Sequence, residues 1–207
     1  MPNDEATGMT RTNAAIVTAA GASTRMGDAH KATLDWGGVP LVTHQVQTLA
    51  DAGFDPIVVV TGAEGESVAG AVPKNGTVVH NQEWKSGRSR SIAKGADALP
   101  DGVDAILVVA VDQPLDPDVL RRLVEHAGAP LVQPADDNGA GHPVILGGEH
   151  LNALRRIEQE EQGLRSIVDR ARPDGTMVTF DSLPHWDLNT PEAYRSSRAS
   201  FERTDSE

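Results

Sequence analysis

A chain of 207 residues suits one domain, and its 39% hydrophobic content is enough for a sizeable core. Aromatics make up only 3%, so that core must be built from Val, Ile, Leu and Ala, which favours a mainly parallel sheet buried under helices. The net charge of -12 excludes general affinity for nucleic acid or an anionic membrane, and the absence of cysteine excludes disulfides, thiolate metal sites and Cys nucleophiles. No stretch approaches the roughly 20 apolar residues of a membrane span. The opening MPNDEATGMTRTN is polar with no apolar signal run behind it, so a soluble cytoplasmic protein is expected.

Residues 1–13 and 197–207 read as loose tails around one domain spanning 14–196. Ala14 to Ala19 is a short apolar strand that runs straight into a glycine turn. Leu41 to Ala52 carries apolar residues at helical spacing and ends at Gly53, a plausible C-cap. Ile57 to Thr61 reads as a buried strand, and Ser89 to Ala98 as a helix stopped by Pro100 and Gly102. Ala105 to Val111 is the clearest central strand, and it ends in Asp112-Gln113-Pro114. A helix from Pro117 to about Ala127 and strands at Leu131–Gln133 and His142–Leu146 follow. Helical stretches over Glu149–Arg156 and Gly163–Arg170, a strand over Thr176–Phe180 and a short helix opened by Pro191 complete the pattern. Alternation of this kind indicates a three-layer, doubly wound α/β domain. Ligands in such sheets bind beyond the carboxyl ends of the strands, which selects the loops after Ala19 and Val111.

The first of these loops reads AAGASTRMGDAHK, from Ala19 to Lys31. Gly21 and Gly27 permit close backbone approach, Ser23 and Thr24 offer hydroxyls, and exposed N–H groups of such a turn can cradle phosphate oxygens. Arg25 supplies a planar guanidinium fork and Lys31 a mobile point charge, a combination suited to neutralising a triphosphate and the departing pyrophosphate. The loop lacks the Gly-Lys-Ser/Thr of a Walker A motif and the glycine spacing of a dinucleotide fingerprint. Asp112, at the mouth of the strongest strand, is well placed to hold Mg²⁺, while Asp116 and Asp118 read as helix-start residues. In the segment Trp186–Tyr194, Asp187 and Asn189 alternate, so either can complete a metal shell with Asp112; Asn189-Thr190-Pro191 is equally an ordinary helix start. The run from His80 to Ser91 mixes amides, hydroxyls and guanidiniums around Trp84 and reads either as a contact for base, ribose or second substrate or as a loop leading into a capped helix. Gly139 to Pro143 suggests a tight loop at a pocket rim, where His142 either bonds a substrate phosphate or sits satisfied in a turn. His30, His44, His126, His150 and His185 show no metal-ligand spacing and read as structural or exposed.

Together, AAGASTRMGDAHK, the N-x-x-W-x-x-G-x-x-x-S pattern from Asn81 to Ser91, VDQP at Val111–Pro114, GHPV at Gly141–Val144 and DLNTPEAY at Asp187–Tyr194 resemble the MobA-like nucleotidyltransferases, most closely the molybdenum cofactor cytidylyltransferases. The resemblance implies a Rossmann-like sheet and Mg²⁺-dependent transfer of a nucleoside monophosphate, CMP from CTP, to a phosphorylated acceptor such as a molybdopterin-type cofactor, with release of pyrophosphate. It implies catalytic roles for Arg25, Lys31 and Asp112, and nucleotide contacts from Ala20, Gly21, Ala22, Ser23, Thr24, Asn81 and Ser91. Gly87, Gly141 and His142 fall on the acceptor side, and Asp112 holds the metal with Asn189 or Asp187 opposite. Ala20-Gly21 stands where guanylyl-transferring relatives have two glycines, which points to cytidylyl transfer. The implied partners are the nucleoside triphosphate, the small acceptor and, transiently, an enzyme that receives the finished cofactor. The same scaffold is used on sugar phosphates or phospholactate-like acids, and some similar proteins are oxidoreductases of heteroaromatic compounds. This chain departs from the family pattern at Ala29-His30 before the lysine, at Arg88 where Met is common, and at Asn189 where Asp is frequent.

Overall fold

The computed structural model describes residues 11–23, 30–158, 163–184, 186 and 188–204. Its centre is a sheet of eight strands. The strand β1 (Asn13–Ala19) is buried at every position and lies between β4 (Phe54–Thr61) and β6 (Ala105–Ala110), parallel to both. Strand β5 (Gly76–His80) extends the parallel order beyond β4. On the other side β9 (Val144–Gly147) runs antiparallel between β6 and β7 (Leu131–Asp136), and β10 (Thr176–Thr179) closes that edge parallel to β7. The two-residue β8 (Gly139–Ala140) pairs with the end of β7. A separate ribbon of β2 (Asp35–Trp36) and β3 (Val39–Pro40) follows the glycine-rich loop.

The helices are α1 (Leu41–Asp51), α2 (Gly65–Ala71), α3 (Arg88–Asp97), α4 (Pro117–Val124), α5 (Leu151–Arg155), α6 (Leu164–Ala171) and α7 (Pro191–Thr204). Strand alternation splits the core into two layers. Val17, Val59 and Leu107 pack with Leu41, Leu49 and Leu120 on one face. Ile16, Val60 and Ile106 pack with Ile92, Leu154 and Ile167 on the other. The expected parallel-dominated, three-layer α/β architecture is therefore the one observed.

Close approach of α3 depends on one glycine. A Cβ on Gly95 would stand 2.5 Å from a methyl of Ile16 and 3.0 Å from one of Val60, so this helix lies against β1 and β4 only because the position has no side chain. That contact carries the start of α3, with Gly87, Arg88 and Ser91, to the carboxyl ends of the strands.

The expected tails need correction where they are described. Arg11 donates to the carbonyl of Ala127, and the Thr12 N–H to Asp104 at 2.8 Å, so order begins before Asn13. At the other end α7 continues through Thr204 rather than loosening at Ser197, because Phe201 is buried against Trp36 at a centroid distance of 5.0 Å. Among the described residues no helix is long and apolar enough to cross a membrane.

Candidate active site

Registration of the parallel strands sets Ala19 beside Thr61, Thr18 beside Ala110 and Thr61 beside His80, so four carboxyl ends finish together. The chain leaving β1 passes through Ala20, Gly21, Ala22 and Ser23 and is described again from His30. Both shores of the loop are tied. His30 Nε2 lies 2.7 Å from the carbonyl oxygen of Gly21, while its Nδ1 accepts from the Ala32 N–H at 3.3 Å, which assigns the proton to Nε2. The Lys31 N–H donates to Ser23 Oγ at 3.0 Å. His30 is therefore structural, and Ser23 takes a left-handed φ of 51°. Gly62 lets the loop dock: a Cβ there would lie 2.5 Å from the Ala20 carbonyl oxygen and 2.8 Å from Trp84 Cβ.

Lys31 turns its side chain inward and is 9% exposed. Its Nζ donates to Asp112 Oδ2 at 2.9 Å and to Asn189 Oδ1 at 2.8 Å. Three residues far apart in sequence, from the end of the loop, the end of β6 and the approach to α7, thus converge on one point. Arg25 and Thr24 from the loop, and Asp187 from the approach to α7, lie outside the described residues. Two oxygens directed at a cation suit a hard divalent metal as well as an ammonium, so the residues fit the metal role foreseen for Asp112 and Asn189.

Asp112 sits on a turn held from below by Gln45, which is wholly buried in α1. The Gln45 Nε2 donates to the Gln113 carbonyl at 2.8 Å, and its Oε1 accepts from the Leu115 N–H at 3.0 Å. This support was missed in the sequence, although a signal existed: Gln45 occupies the apolar stripe of Leu41, Val42, Val46 and Leu49, where an amide needs a buried partner.

A cavity of about 340 Å³ opens beside this cluster, bounded by the loop at Ala20, Gly21 and Ser23, by Lys31 and Asp112, and by Gly87, Arg88 and Ser91. Asn81 lies behind its wall rather than on it: its Nδ2 donates to Ser91 Oγ at 3.0 Å and its Oδ1 accepts from the Glu83 N–H at 3.0 Å. Asn81 thereby ties the loop around Trp84 to α3. Gly87, at φ 112°, is the residue before α3 and leaves the helix start open, with no side-chain cap.

A second cavity, about 360 Å³, lies on the other side of the β6 end and is lined by Gln113, Leu115, Gly141, His142, Leu183 and Trp186. Gly141 is fixed there because its carbonyl accepts from Gln133 Nε2 at 2.9 Å and a Cβ would meet Leu183 at 2.6 Å. His142 is exposed at the mouth, yet the surrounding protein strips enough water from the ring to lower its pKa below 6.5, and the Arg88 guanidinium lowers it further. Arg88 lines the first cavity and His142 the second, so the charge in one reaches the ring in the other. A depressed folded pKa means that this imidazole is neutral near pH 7, and that its contribution to stability is present above 6.5 and lost as pH falls through the folded value. Arg88→Met is expected to raise the His142 pKa part of the way, leaving it below 6.5, as read by NMR titration of the ring protons. An unchanged value would show that the two cavities are electrically separate.

Comparison with known proteins agrees with this geometry. The bifunctional protein GlmU of Sinorhizobium medicae is 33% identical over 207 residues, covering 95% of this chain and 44% of that protein. The chain thus spans less than half the length of that curated relative. A nucleotidyl transferase from Methanothermobacter superposes with a TM-score of 0.79 at 27% identity, over 94% of this chain and 100% of that one. A CMP:2-keto-3-deoxy-manno-octonic acid synthetase complexed with CTP shares the fold, with a TM-score of 0.73 at 13% identity over 93% and 99% of the two chains. The family model of the MobA-like NTP transferase domain matches residues 15–175, and the chain belongs to that family.

Proposed function

We propose that this domain transfers a nucleoside monophosphate, CMP from CTP, to a phosphorylated acceptor of the molybdopterin cofactor type and releases pyrophosphate, with Mg²⁺ as the metal. The observation that carries the reading is the convergence of Lys31, Asp112 and Asn189 beside the tied glycine loop, at the carboxyl ends of β1 and β6. Family membership supports the reaction class. The choice of cytidine is supported by Ala20 in the loop.

In this reading the triphosphate occupies the cavity bounded by Gly21, Lys31 and Ser91, where the N–H groups of residues 20–23 face its oxygens. Arg25 and Lys31 balance the charge that gathers on the departing pyrophosphate. The acceptor phosphate enters from the cavity of Gly141 and His142, whose neutral imidazole can donate or accept a hydrogen bond without repelling Arg88. Asp112 with Asn189, or with Asp187, would hold the metal, which when bound polarises the phosphoryl oxygens. An acceptor oxygen attacks the α-phosphorus, the bond to the β-phosphate oxygen breaks, and no protein nucleophile takes part.

The test is pyrophosphate release with CTP, GTP, ATP and UTP in Mg²⁺, with and without a molybdopterin-type acceptor. Release from CTP only when the acceptor is present is the expected result. Release with a sugar phosphate instead would keep the chemistry and replace the acceptor. Silence with every pair, from folded protein that binds a flavin or nicotinamide, would overturn the reading in favour of redox work.

A further inference from the structure

We infer that Lys31 is the resident counter-ion of this site: it fills the cation position between Asp112 and Asn189, so the nucleotide-free protein turns away free divalent metal and admits it only together with the nucleotide. The inference rests on the nucleotidyltransferase reading for the identity of the ligand, and on the geometry of three side chains for the rest.

The lysine ammonium is 2.9 Å from Asp112 Oδ2 and 2.8 Å from the Asn189 amide oxygen, so a cation already stands where these two oxygens converge. The Lys31 side chain is 11% exposed, whereas that of Asp112 is 33% exposed, so the cation sits deeper than its partner. Among these three side chains the charges cancel, because Lys31 and Asp112 are opposite and Asn189 is neutral. A neutral point offers a divalent ion little reason to shed water. Among the described residues no group of three or more His, Asp or Glu side chains is placed to hold a metal. Asp112 and Asn189 supply only part of the roughly six oxygens that a hard ion prefers, and phosphate oxygens with water can supply others.

The exchange needs no remodelling of the fold. Lys31 and Asp112 both line the cavity that receives the triphosphate. A four-carbon stem lets the ammonium leave Asp112 for a phosphate oxygen and remain paired throughout. Once it moves, the oxygens of Asp112 and Asn189 are open to the metal carried by the same nucleotide. Metal and nucleotide are then reciprocally coupled: each favours the lysine position that the other requires.

The probe is Mn²⁺ alone, followed by the loss of its free-ion electron paramagnetic resonance signal, with nucleotide-free wild type, Lys31→Met and Asn189→Asp compared after thermal melts confirm folding. Wild type is expected to leave the signal nearly unchanged. Each variant adds one net negative charge and is expected to bind Mn²⁺ about tenfold more tightly or better, with Lys31→Met the stronger because it also withdraws the ammonium from the site. Addition of a non-hydrolysable CTP analogue should bring wild type to metal retention above that of the analogue by itself. Nucleotide-free wild type that binds Mn²⁺ as tightly as Lys31→Met would overturn the inference, and so would an Asn189→Asp protein indistinguishable from wild type. A protein that binds none of the four nucleotides would sink the transferase reading instead, while the nucleotide-free titrations would still decide the role of Lys31.

Discussion

Asp112→Ala is expected to lower metal-dependent pyrophosphate release by about a hundred- to a thousandfold, the scale of losing one preorganised electrostatic group from a reacting centre. The substitution removes the only carboxylate found at the convergence point among the described residues. It leaves the turn intact, because the backbone bonds there run from the Val111 N–H to Thr18 and from the Gln113 N–H to Ala110 without using the side chain. Lys31 keeps its hydrogen bond to Asn189 but loses its opposite charge, so the substitution costs some stability as well. The melting temperature should therefore fall modestly while the fold persists. Full activity with an unchanged metal requirement would remove Asp112 from the mechanism; a collapse of the melt would reassign it to structure.

The largest effect on stability is expected at Trp36. Its side chain is completely buried, with its ring 5.5 Å from Trp186 and 5.0 Å from Phe201, and Trp186 and Phe201 are themselves 5.5 Å apart. Truncation to Ala should cost about 3–5 kcal/mol, because a cavity of indole size cannot close between the two remaining large rings. In a chain of this length that corresponds to a fall in melting temperature of about 10 °C or more. The indole Nε1 is buried without a hydrogen-bond partner, so Trp36→Phe loses less: the smaller ring also removes an orphaned donor. Because Trp186 stands three residues before Asn189, Trp36→Ala should in addition weaken nucleotide binding, which equilibrium titration at a temperature well below the melt would register. Equal melts for the Ala and Phe variants would contradict this account of the cluster.

Legibility in the sequence followed the range of the contacts. The runs Ala14–Ala19 and Ala105–Val111 announced themselves, because a strand buried on both faces is apolar without a break. Lys31 and Asp112 stood out from the turns that follow those strands, and the structure brings the two together. The antiparallel direction of β9 was not readable, since side-chain alternation is the same whichever way a strand runs. Nor was the extent of α7, whose anchor Phe201 is held by a tryptophan far upstream and not by its own neighbours. Helix α2 and strand β5 went unread because Val68 is the only buried residue of the first, and no residue of the second is fully buried. The pairing of Asn81 with Ser91 was hidden as well: Ser91 lines the cavity, and Asn81 bonds to it from behind the wall.

The end of β6 separates the two cavities, with Asp112 facing the one and Gln113 the other. In the proposed reaction a nucleophile arriving from the Gln113 side and a pyrophosphate departing along the Lys31 side pass the phosphorus on opposite faces. Such a passage turns the phosphorus inside out once per turnover. Were one of its oxygens replaced by sulfur, the handedness of the nucleotide would be reversed in the product, as a single direct displacement requires.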